Sequence, residues 1–436
     1  MKNLSYSRII AIGFFVMIML GTGLLMLPVS SVSGEWTPFS DAFFTAVSAQ
    51  CVTGLVVVDT ATYWSLFGQL VIIILIQTGG LGFISIGVFF TIMLKRKLSL
   101  SQRSLFQESM NTLEMSGTAV FTKKIMLWVF LVEAIGAVIL TTCFMKTEPF
   151  LKAVYYGIFH SISAFCNAGF STVEGNLMSY SGDLVLNITI MALITIGGLG
   201  FIVWDDVYKN KWHFKKYRLH TKIVLLLTFV ITFGGAVLLF ISEQRTVLEN
   251  MSLPEAVTAS FFNSVTSRTA GFNTVDLAKI SEAGKFIMIV IMFIGGSPGS
   301  TAGGIKTTTF MVIIAFLIAN FKHTKPNMFG KRFEEDAVKK ATTVMSTNLI
   351  LIVAATLILT IISDFSIGDI LYETVSAMST VGVTVGITDK FNLAGRYILA
   401  GLMYLVRIGS ITFSVSFLEK KKNACVGYLK ENISIG

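Results

Sequence analysis

Four stretches of this chain decide its fold: AFFTAVSAQCVTGLVVVD at 42–59, GIFHSISAFCNAGFSTVE at 157–174, ASFFNSVTSRTAGFNTVD at 259–276 and LYETVSAMSTVGVTVGI at 371–387. They align without gaps on Gly54, Gly169, Gly271 and Gly382, at intervals of 115, 102 and 111 residues. Each is an apolar, Ser/Ala/Phe-rich run too short to cross a bilayer, which takes about 20 residues. Each ends on a glycine in polar surroundings. Five residues later the first three place Asp59, Glu174 and Asp276; the fourth departs with Ile387 and has Asp389 nearby.

A second anchor follows each glycine. TGGLGF (78–83), IGGLGF (196–201), IGGSPGS (294–300) and RIGSITF (407–413) put Gly80, Gly198, Gly296 and Gly409 at +26, +29, +25 and +27. Two anchors recurring in step four times mark an internal repeat. Each unit reads as a span, a re-entrant half-helix, a glycine turn and a second span. Non-helical backbone at membrane depth is tolerated only where it is buried in protein or lines a water-filled cavity. Four such loops around a pseudo-fourfold axis make a pore from one chain.

The flanking sequence agrees. Hydrophobic residues make up 53% of the 436 residues and charged residues 14%, with mean hydropathy +0.75. A soluble domain carries about 25% charged residues, so a cytosolic enzyme, a secreted disulfide scaffold and a disordered protein are excluded. Apolar runs of spanning length fall at 9–29, 67–94, 184–204, 223–242 and 341–363. Those at 125–145 and 397–418 carry Glu133 and Arg407, and 286–321 is long but broken by glycines. The run at 9–29 is too long for a signal-peptide core and reads as a retained first span. The expectation is an all-α polytopic membrane protein with eight full spans and four span–pore-loop–span (M1–P–M2) repeats. Their bounds are 1–97, 98–212 (with its preceding cytoplasmic loop), 213–325 and 326–420, followed by a cytoplasmic tail at 421–436. Of 34 Lys and Arg, 24 lie on the side of the two termini, which the positive-inside rule makes cytoplasmic. Topology thus accounts for the net charge of +9 and leaves nothing that calls for nucleic acid.

The chemistry suits a cation. A dehydrated monovalent ion needs several oxygens to replace its water, and backbone carbonyls supply them where glycine permits the turn. The half-helices before each glycine, roughly 41–50, 153–165, 255–267 and 368–379, aim their negative ends at the centre. The acids just outside raise the local cation concentration. The ion-binding set is Val52, Thr53, Gly54, Asn167, Ala168, Gly169, Thr269, Ala270, Gly271, Thr380, Val381 and Gly382. The run Gly295-Gly296-Ser297-Pro298-Gly299-Ser300-Thr301-Ala302-Gly303-Gly304 is costly in a helix and is expected to be a loop below the glycines. With Lys306 and the lone Arg407 at matching depth it forms a candidate gate.

Thr380-Val381-Gly382-Val383 resembles the first part of the potassium-channel TVGYG filter, and the other three repeats are degenerate versions of it. With GGSPGSTAGGIKTTTF at 295–310 and Arg407, the chain resembles the Trk/Ktr/HKT superfamily of potassium transporters over residues 8–418. Its length favours the membrane subunits of the Ktr branch. The resemblance implies potassium translocation across the cell membrane, with potassium at the filter residues above, and a homodimer. It also implies a cytosolic ring of RCK regulatory subunits (KtrA/KtrC-like) that bind ATP or ADP, and sodium stimulation of uptake as in several members. No cofactor is expected on this chain itself. The missing tyrosine and second filter glycine imply a shorter site.

Other residues have plainer readings. Gly79-Gly80 and Gly197-Gly198 fit either close packing or ion contact. Cys51 and Cys166, three residues before their glycines, read as small residues in a tight turn, and the four cysteines form no CxxC pair. Arg268 is expected to hydrogen-bond loop carbonyls, and His160 to pack. Glu133 lacks an obvious partner; it reads as a structural or dimer contact remote from the pore, although an acid at membrane depth is a functional candidate in general. The basic loops 95–124, 205–222 and 322–340 are either solvated or a docking face for the ring. A secondary transporter of another cation or solute would show two halves of inverted topology, and no Walker A, HExxH or GxSxG enzyme motif occurs.

Overall fold

The computed structural model describes residues 6–93, 118–211 and 213–416. Most of the first basic loop (95–117) and the tail 421–436, with Cys425, lie outside the described residues.

The four quarters of the chain repeat one order. The first runs α1 (Tyr6–Met26), α2 (Phe39–Cys51), α3 (Leu66–Leu81) and α4 (Phe83–Met93). The second runs α5 (Thr118–Phe144), α6 (Phe150–Phe165), α7 (Leu184–Leu199) and α8 (Phe201–Asn210). The third has α9 (Leu219–Glu243), α10 (Leu253–Thr266), α11 (Glu282–Phe293) and α12 (Thr307–Phe321). A small hairpin of β1 (Asn327–Met328) and β2 (Lys331–Arg332) leads to α13 (Glu335–Ile362), α14 (Ile367–Met378) and α15 (Leu393–Ser416).

Each element has a local cause. Among the described residues, the long first helices α1, α5, α9 and α13 are the four that are long and apolar enough to cross a membrane unbroken. Their outer faces stay apolar and exposed, as at Phe130 and Val138 on α5, Phe229 and Ile241 on α9 and Ile350 and Ile361 on α13, which suits lipid rather than water. The short second helices start at residues that stop or cap a helix. Pro38 and Pro149 precede α2 and α6, Ser252 and Glu255 form a capping box on α10, and Ser366 Oγ accepts the Asp369 N–H on α14. Ser65, Asp183 and Ser281 cap α3, α7 and α11 in the same way. The short helices are the core, with Phe44–Cys51 of α2 and Tyr372–Met378 of α14 buried throughout.

The helices after the glycine turns are broken in three of the four units. The runs 67–94 and 184–204 read as spans, and within them the chain bends by 86° between α3 and α4 and by 95° between α7 and α8. The hinges are Gly82 and Gly200, with φ of 77° and 94°, a region open to glycine. At the second hinge the space a side chain would take is filled by Pro298 O, and the Phe201 N–H donates to Gly299 O at 2.9 Å. A distant loop therefore satisfies the first orphan donor of α8. In the third quarter the break is wider, a non-helical segment at 294–306, as the glycine run required. Only α15 continues without a break.

Gly79 and Gly197 owe their identity to packing. A Cβ on Gly79 would be driven into the Gln50 carbonyl at the end of α2, and one on Gly197 into the Phe165 carbonyl at the end of α6. Overpacking of this kind costs about 1–3 kcal/mol. Gly79→Ala and Gly197→Ala should each lower the melting temperature of the detergent-purified protein. Gly23→Ala, where nothing lies within 4 Å, should hold or raise it through helix propensity; equal behaviour of all three would refute the packing account.

Candidate functional site

The four short helices end at Cys51, Phe165, Thr266 and Met378 and converge on the anchor glycines. In each repeat the residue two before the glycine is left-handed: Val52 (φ 58°), Asn167 (60°), Thr269 (77°) and Thr380 (49°). The glycines Gly54 (95°), Gly169 (69°), Gly271 (85°) and Gly382 (90°) are left-handed as well. Three of the four preceding residues are β-branched, for which positive φ is a true outlier. Such strain costs about 1–3 kcal/mol per residue and persists only where surroundings enforce it.

The surroundings are visible. The N–H of the intervening residue returns to the helix it has just left: Thr53 to Ser48 O (2.8 Å), Ala168 to Ser163 O (2.8 Å), Ala270 to Thr266 O (2.9 Å) and Val381 to Ser376 O (2.8 Å). Side-chain hydroxyls close the turn from behind. Ser48 Oγ accepts from Gly54 N and Ser376 Oγ from Gly382 N, both at 3.1 Å. Ser163, Thr266 and Ser376 donate to the carbonyls of Phe170 (2.8 Å), Phe272 (2.6 Å) and Val383 (2.7 Å). The sequence reading missed these four hydroxyls. Their signal was a Ser six residues before the glycine in three repeats, with Thr266 one place later in the third.

The turns form a closed ring in chain order. The space beside Gly54 is taken by Ala168 O, beside Gly169 by Ala270 O, beside Gly271 by Val381 O and beside Gly382 by Thr53 O. Each repeat thus sets the carbonyl before its own glycine against the glycine of the repeat before it, and the fourth repeat meets the first. On one side of the ring lies a depression of about 260 Å³ lined by all four glycines with Asp59, Asp276, Asn273 and Thr384. Two of the three expected acids line it; Glu174 does not. Asp276 also pairs with Lys279 at 3.2 Å, and Asp59 accepts from Thr62 at 2.9 Å.

On the other side lies the segment 294–306. It folds back on itself, the Gly296 N–H donating to Gly303 O at 3.1 Å and Lys306 Nζ to Ala302 O at 2.7 Å, with Gly295 against Gly304. The Ser297 and Thr301 N–H groups donate to Gly198 O (3.1 Å) and Gly197 O (3.3 Å) of the second repeat, while Gly299 meets Phe201 as above. Gly303 abuts Thr380 and Ser379 at the base of the fourth turn. Arg407, buried on α15, donates through Nη1 to Thr301 O at 2.9 Å and through Nη2 to Gly79 O at 2.6 Å. One guanidinium, with its fixed fork of donors, joins the segment to the first and fourth repeats.

Two readings are corrected. Arg268 bonds the Thr228 hydroxyl on α9 at 3.3 Å, because the end of α10 packs against that helix; the arginine on loop carbonyls is Arg407. Glu133 is neither partnerless nor remote. Its carboxyl accepts from Gln77 Nε2 at 3.1 and 3.2 Å, and Gln77 Oε1 accepts from Cys166 Sγ at 3.4 Å, one residue before the second turn. Ser161 on the short helix α6 donates to the Glu133 carbonyl at 2.6 Å. At 5% exposure Glu133 is buried within the chain, a structural contact next to the second turn. Among the described residues Cys51, Cys143 and Cys166 are free and buried, and no three His, Cys, Asp or Glu side chains gather to hold a metal.

Comparison with known proteins gives this geometry its context. The family described as TrkH, cation transport protein, matches residues 7–425. The potassium/sodium uptake protein NtpJ of Enterococcus hirae is 40% identical over all of this chain and 98% of its own. The Ktr system potassium uptake protein B of Bacillus subtilis is 39% identical over 95% of this chain and 94% of its own. The crystal structure of the potassium transporter TrkH from Vibrio parahaemolyticus superposes with a TM-score of 0.75 at 19% identity, over 96% of this chain and 86% of that one, which shows a shared fold.

The Glu133–Gln77 contact is open to direct test. A hydrogen bond to a carboxyl in a buried setting is worth about 1–3 kcal/mol. A double-mutant cycle of Glu133→Ala and Gln77→Ala, read as thermal stability in detergent, should show coupling of that order. Additive losses would mean that the two side chains act independently.

Proposed function

The chain belongs to the TrkH family of cation transport proteins, a family of the plasma membrane, and from that premise we propose that it carries potassium into the cell through the glycine ring, as the membrane subunit of a Ktr-type system. The observation that carries this reading is the closed ring of four left-handed glycine turns, each offering a backbone carbonyl. Carbonyl oxygens can replace the water of a monovalent cation without fixing it by full charge. The acids of the outer depression raise the cation concentration at its mouth. The names of the similar proteins, potassium or potassium/sodium uptake, point to the same substrate.

The finer topology belongs to the same proposal. The chain makes four span–pore-loop–span units with eight crossings, and both termini face the cytoplasm. It works as a homodimer on a cytosolic RCK ring that binds ATP or ADP, and sodium stimulates uptake. The segment 295–306, which includes Lys306, is with Arg407 the gate. A fixed positive charge beneath the ring repels potassium; its hydrogen bond to Thr301 O holds the segment, and its bond to Gly79 O ties that segment to the first repeat. Opening requires those bonds to be exchanged.

The first test is rescue of a potassium-uptake-deficient bacterium at low external potassium, with and without a co-expressed RCK subunit. Rescue that improves with the partner is expected; a well-expressed chain that gives none would overturn the reading. At the ring, Gly54→Ser, Gly169→Ser, Gly271→Ser and Gly382→Ser each place a Cβ at positive φ against a neighbouring carbonyl. A strain of about 1.4 kcal/mol corresponds to tenfold, so potassium KM should rise and discrimination against sodium fall by about that factor. At the gate, removing several residues from 298–303, or Arg407→Ala, should raise flux and weaken its dependence on the partner. Well-folded variants with unchanged or lower flux, still fully partner-dependent, would dismiss the gate.

A further inference from the structure

In sequence His160 reads as a packing residue and Glu373 carries no signal of its own. Both are fully buried, at 0% exposure, and both lie nine residues before a ring glycine, Gly169 and Gly382 respectively. Their partners also correspond. One Glu373 carboxyl oxygen accepts from the Thr384 hydroxyl and from the Val385 N–H at 3.1 Å; the other accepts from the Thr388 hydroxyl at 2.7 Å. His160 Nδ1 lies 2.8 Å from Tyr156 O, a pure acceptor, which assigns the proton to Nδ1 and leaves Nε2 as an acceptor 2.9 Å from the Ser171 hydroxyl, whose proton has Val173 O at 3.2 Å as its longer alternative. Ser171 and Thr384 each stand two residues beyond their glycine. Each hydroxyl in turn accepts the N–H two residues further on, Val173 N to Ser171 Oγ at 3.0 Å and Gly386 N to Thr384 Oγ1 at 2.9 Å.

The same three-part relay therefore occurs twice: a buried side chain at −9, a hydroxyl at +2 and a backbone N–H at +4. The other two repeats hold Thr45 and Phe262 at −9. Thr45 Oγ1 has no hydrogen-bond partner, and phenylalanine can offer none. Since the ring runs in chain order, the second and fourth repeats face each other across it. Ser171, Val173, Thr384 and Gly386 all line the outer depression. A buried polar side chain that merely satisfies itself need not reach the same target at the same offset in two repeats.

We propose that Glu373 and His160 are positioning residues of the ion pathway, fixing the outer edge of the glycine ring at two opposite corners and so setting its discrimination between cations of different size. Neither contacts the ion. Each acts through the hydroxyl and the backbone it holds, which gives the outer edge a twofold rather than a fourfold frame. Every donor that meets the Glu373 carboxyl is an N–H or O–H, matching a group used as an acceptor.

This inference rests on the ring being the filter, and the test keeps the two apart. Full-length protein is reconstituted in liposomes, and potassium and sodium fluxes are measured for Thr384→Val, Ser171→Ala, Glu373→Met and Glu373→Gln, with Gly382→Ser alongside. A purely structural role would lower both fluxes together, so the readout is their ratio. Loss of a buried hydrogen bond should cut the potassium-to-sodium ratio about five- to tenfold in Thr384→Val and Glu373→Met, and measurably in Ser171→Ala. Glu373→Gln should rescue the ratio to within about twofold, because its amide oxygen still accepts from Val385 and Thr384 and its amide N–H₂ can donate to Thr388. If Glu373→Met fails to assemble, Thr384→Val and Ser171→Ala carry the test. Native ratios in those two, with an altered ratio in Gly382→Ser, overturn the positioning role and spare the filter. A native ratio in Gly382→Ser as well overturns the filter. Glu373→Gln as damaging as Glu373→Met overturns the hydrogen-bonding role in favour of charge.

Discussion

Everything in this structure depends on four places where a helix stops at the centre of the protein and its backbone must be satisfied without water. Unpaired peptide groups there cost too much to leave. The chain meets the constraint in one way, repeated: a left-handed residue reverses the backbone, the next N–H returns to the helix just ended, and a hydroxyl from that helix closes the turn. The carbonyl that precedes each glycine is then turned against the neighbouring repeat rather than buried against its own helix. Because Ala168 O, Ala270 O, Val381 O and Thr53 O occupy the space beside Gly54, Gly169, Gly271 and Gly382, no side chain fits at any of the four. Strain and close approach are consequences of a single backbone requirement.

The repeats are alike at the ring and unlike beneath it. Below the ring the first and second repeats carry a glycine-hinged bend, the third an open loop and the fourth a continuous helix with an arginine. These differences interlock. The loop of the third satisfies the start of α8 in the second, sits under Thr380 of the fourth and is held by Arg407. The same arginine reaches Gly79 O in the first. A symmetric lower half would have no such single latch.

Residues 77–80 join several of these parts in four consecutive positions. Gln77 meets Glu133 and Cys166, Thr78 donates to Gln50 Oε1 at 3.0 Å, Gly79 O accepts from Arg407, and Gly80 packs on Cys166. The segment touches the ends of two short helices and the latch at once. A buried acid on α5 is thereby linked by hydrogen bonds to the turn of the second repeat, which gives Glu133 a place in the architecture that its distance along the chain concealed.

The sequence by itself determined the fourfold repeat of glycine turns, the ring residues and a break at 295–304, because each rests on a local rule: short apolar runs cannot cross a bilayer, glycine marks reversed backbone, and a run of five glycines and a proline cannot stay helical. Only the tertiary structure decided what fills the space around them. The bend at Gly200 packs against carbonyls about 100 residues away, as the contacts of Gly200 with Pro298 O and of Phe201 N–H with Gly299 O show. The partners of Arg268, Glu133 and Arg407 depend on which helices lie side by side. Ser48, Ser163, Thr266 and Ser376 look in sequence like any small polar residue of a membrane helix. Their role appears once the chain has turned back on them, since a hydrogen bond is fixed by distance and direction in space, which residue order does not encode beyond a few positions.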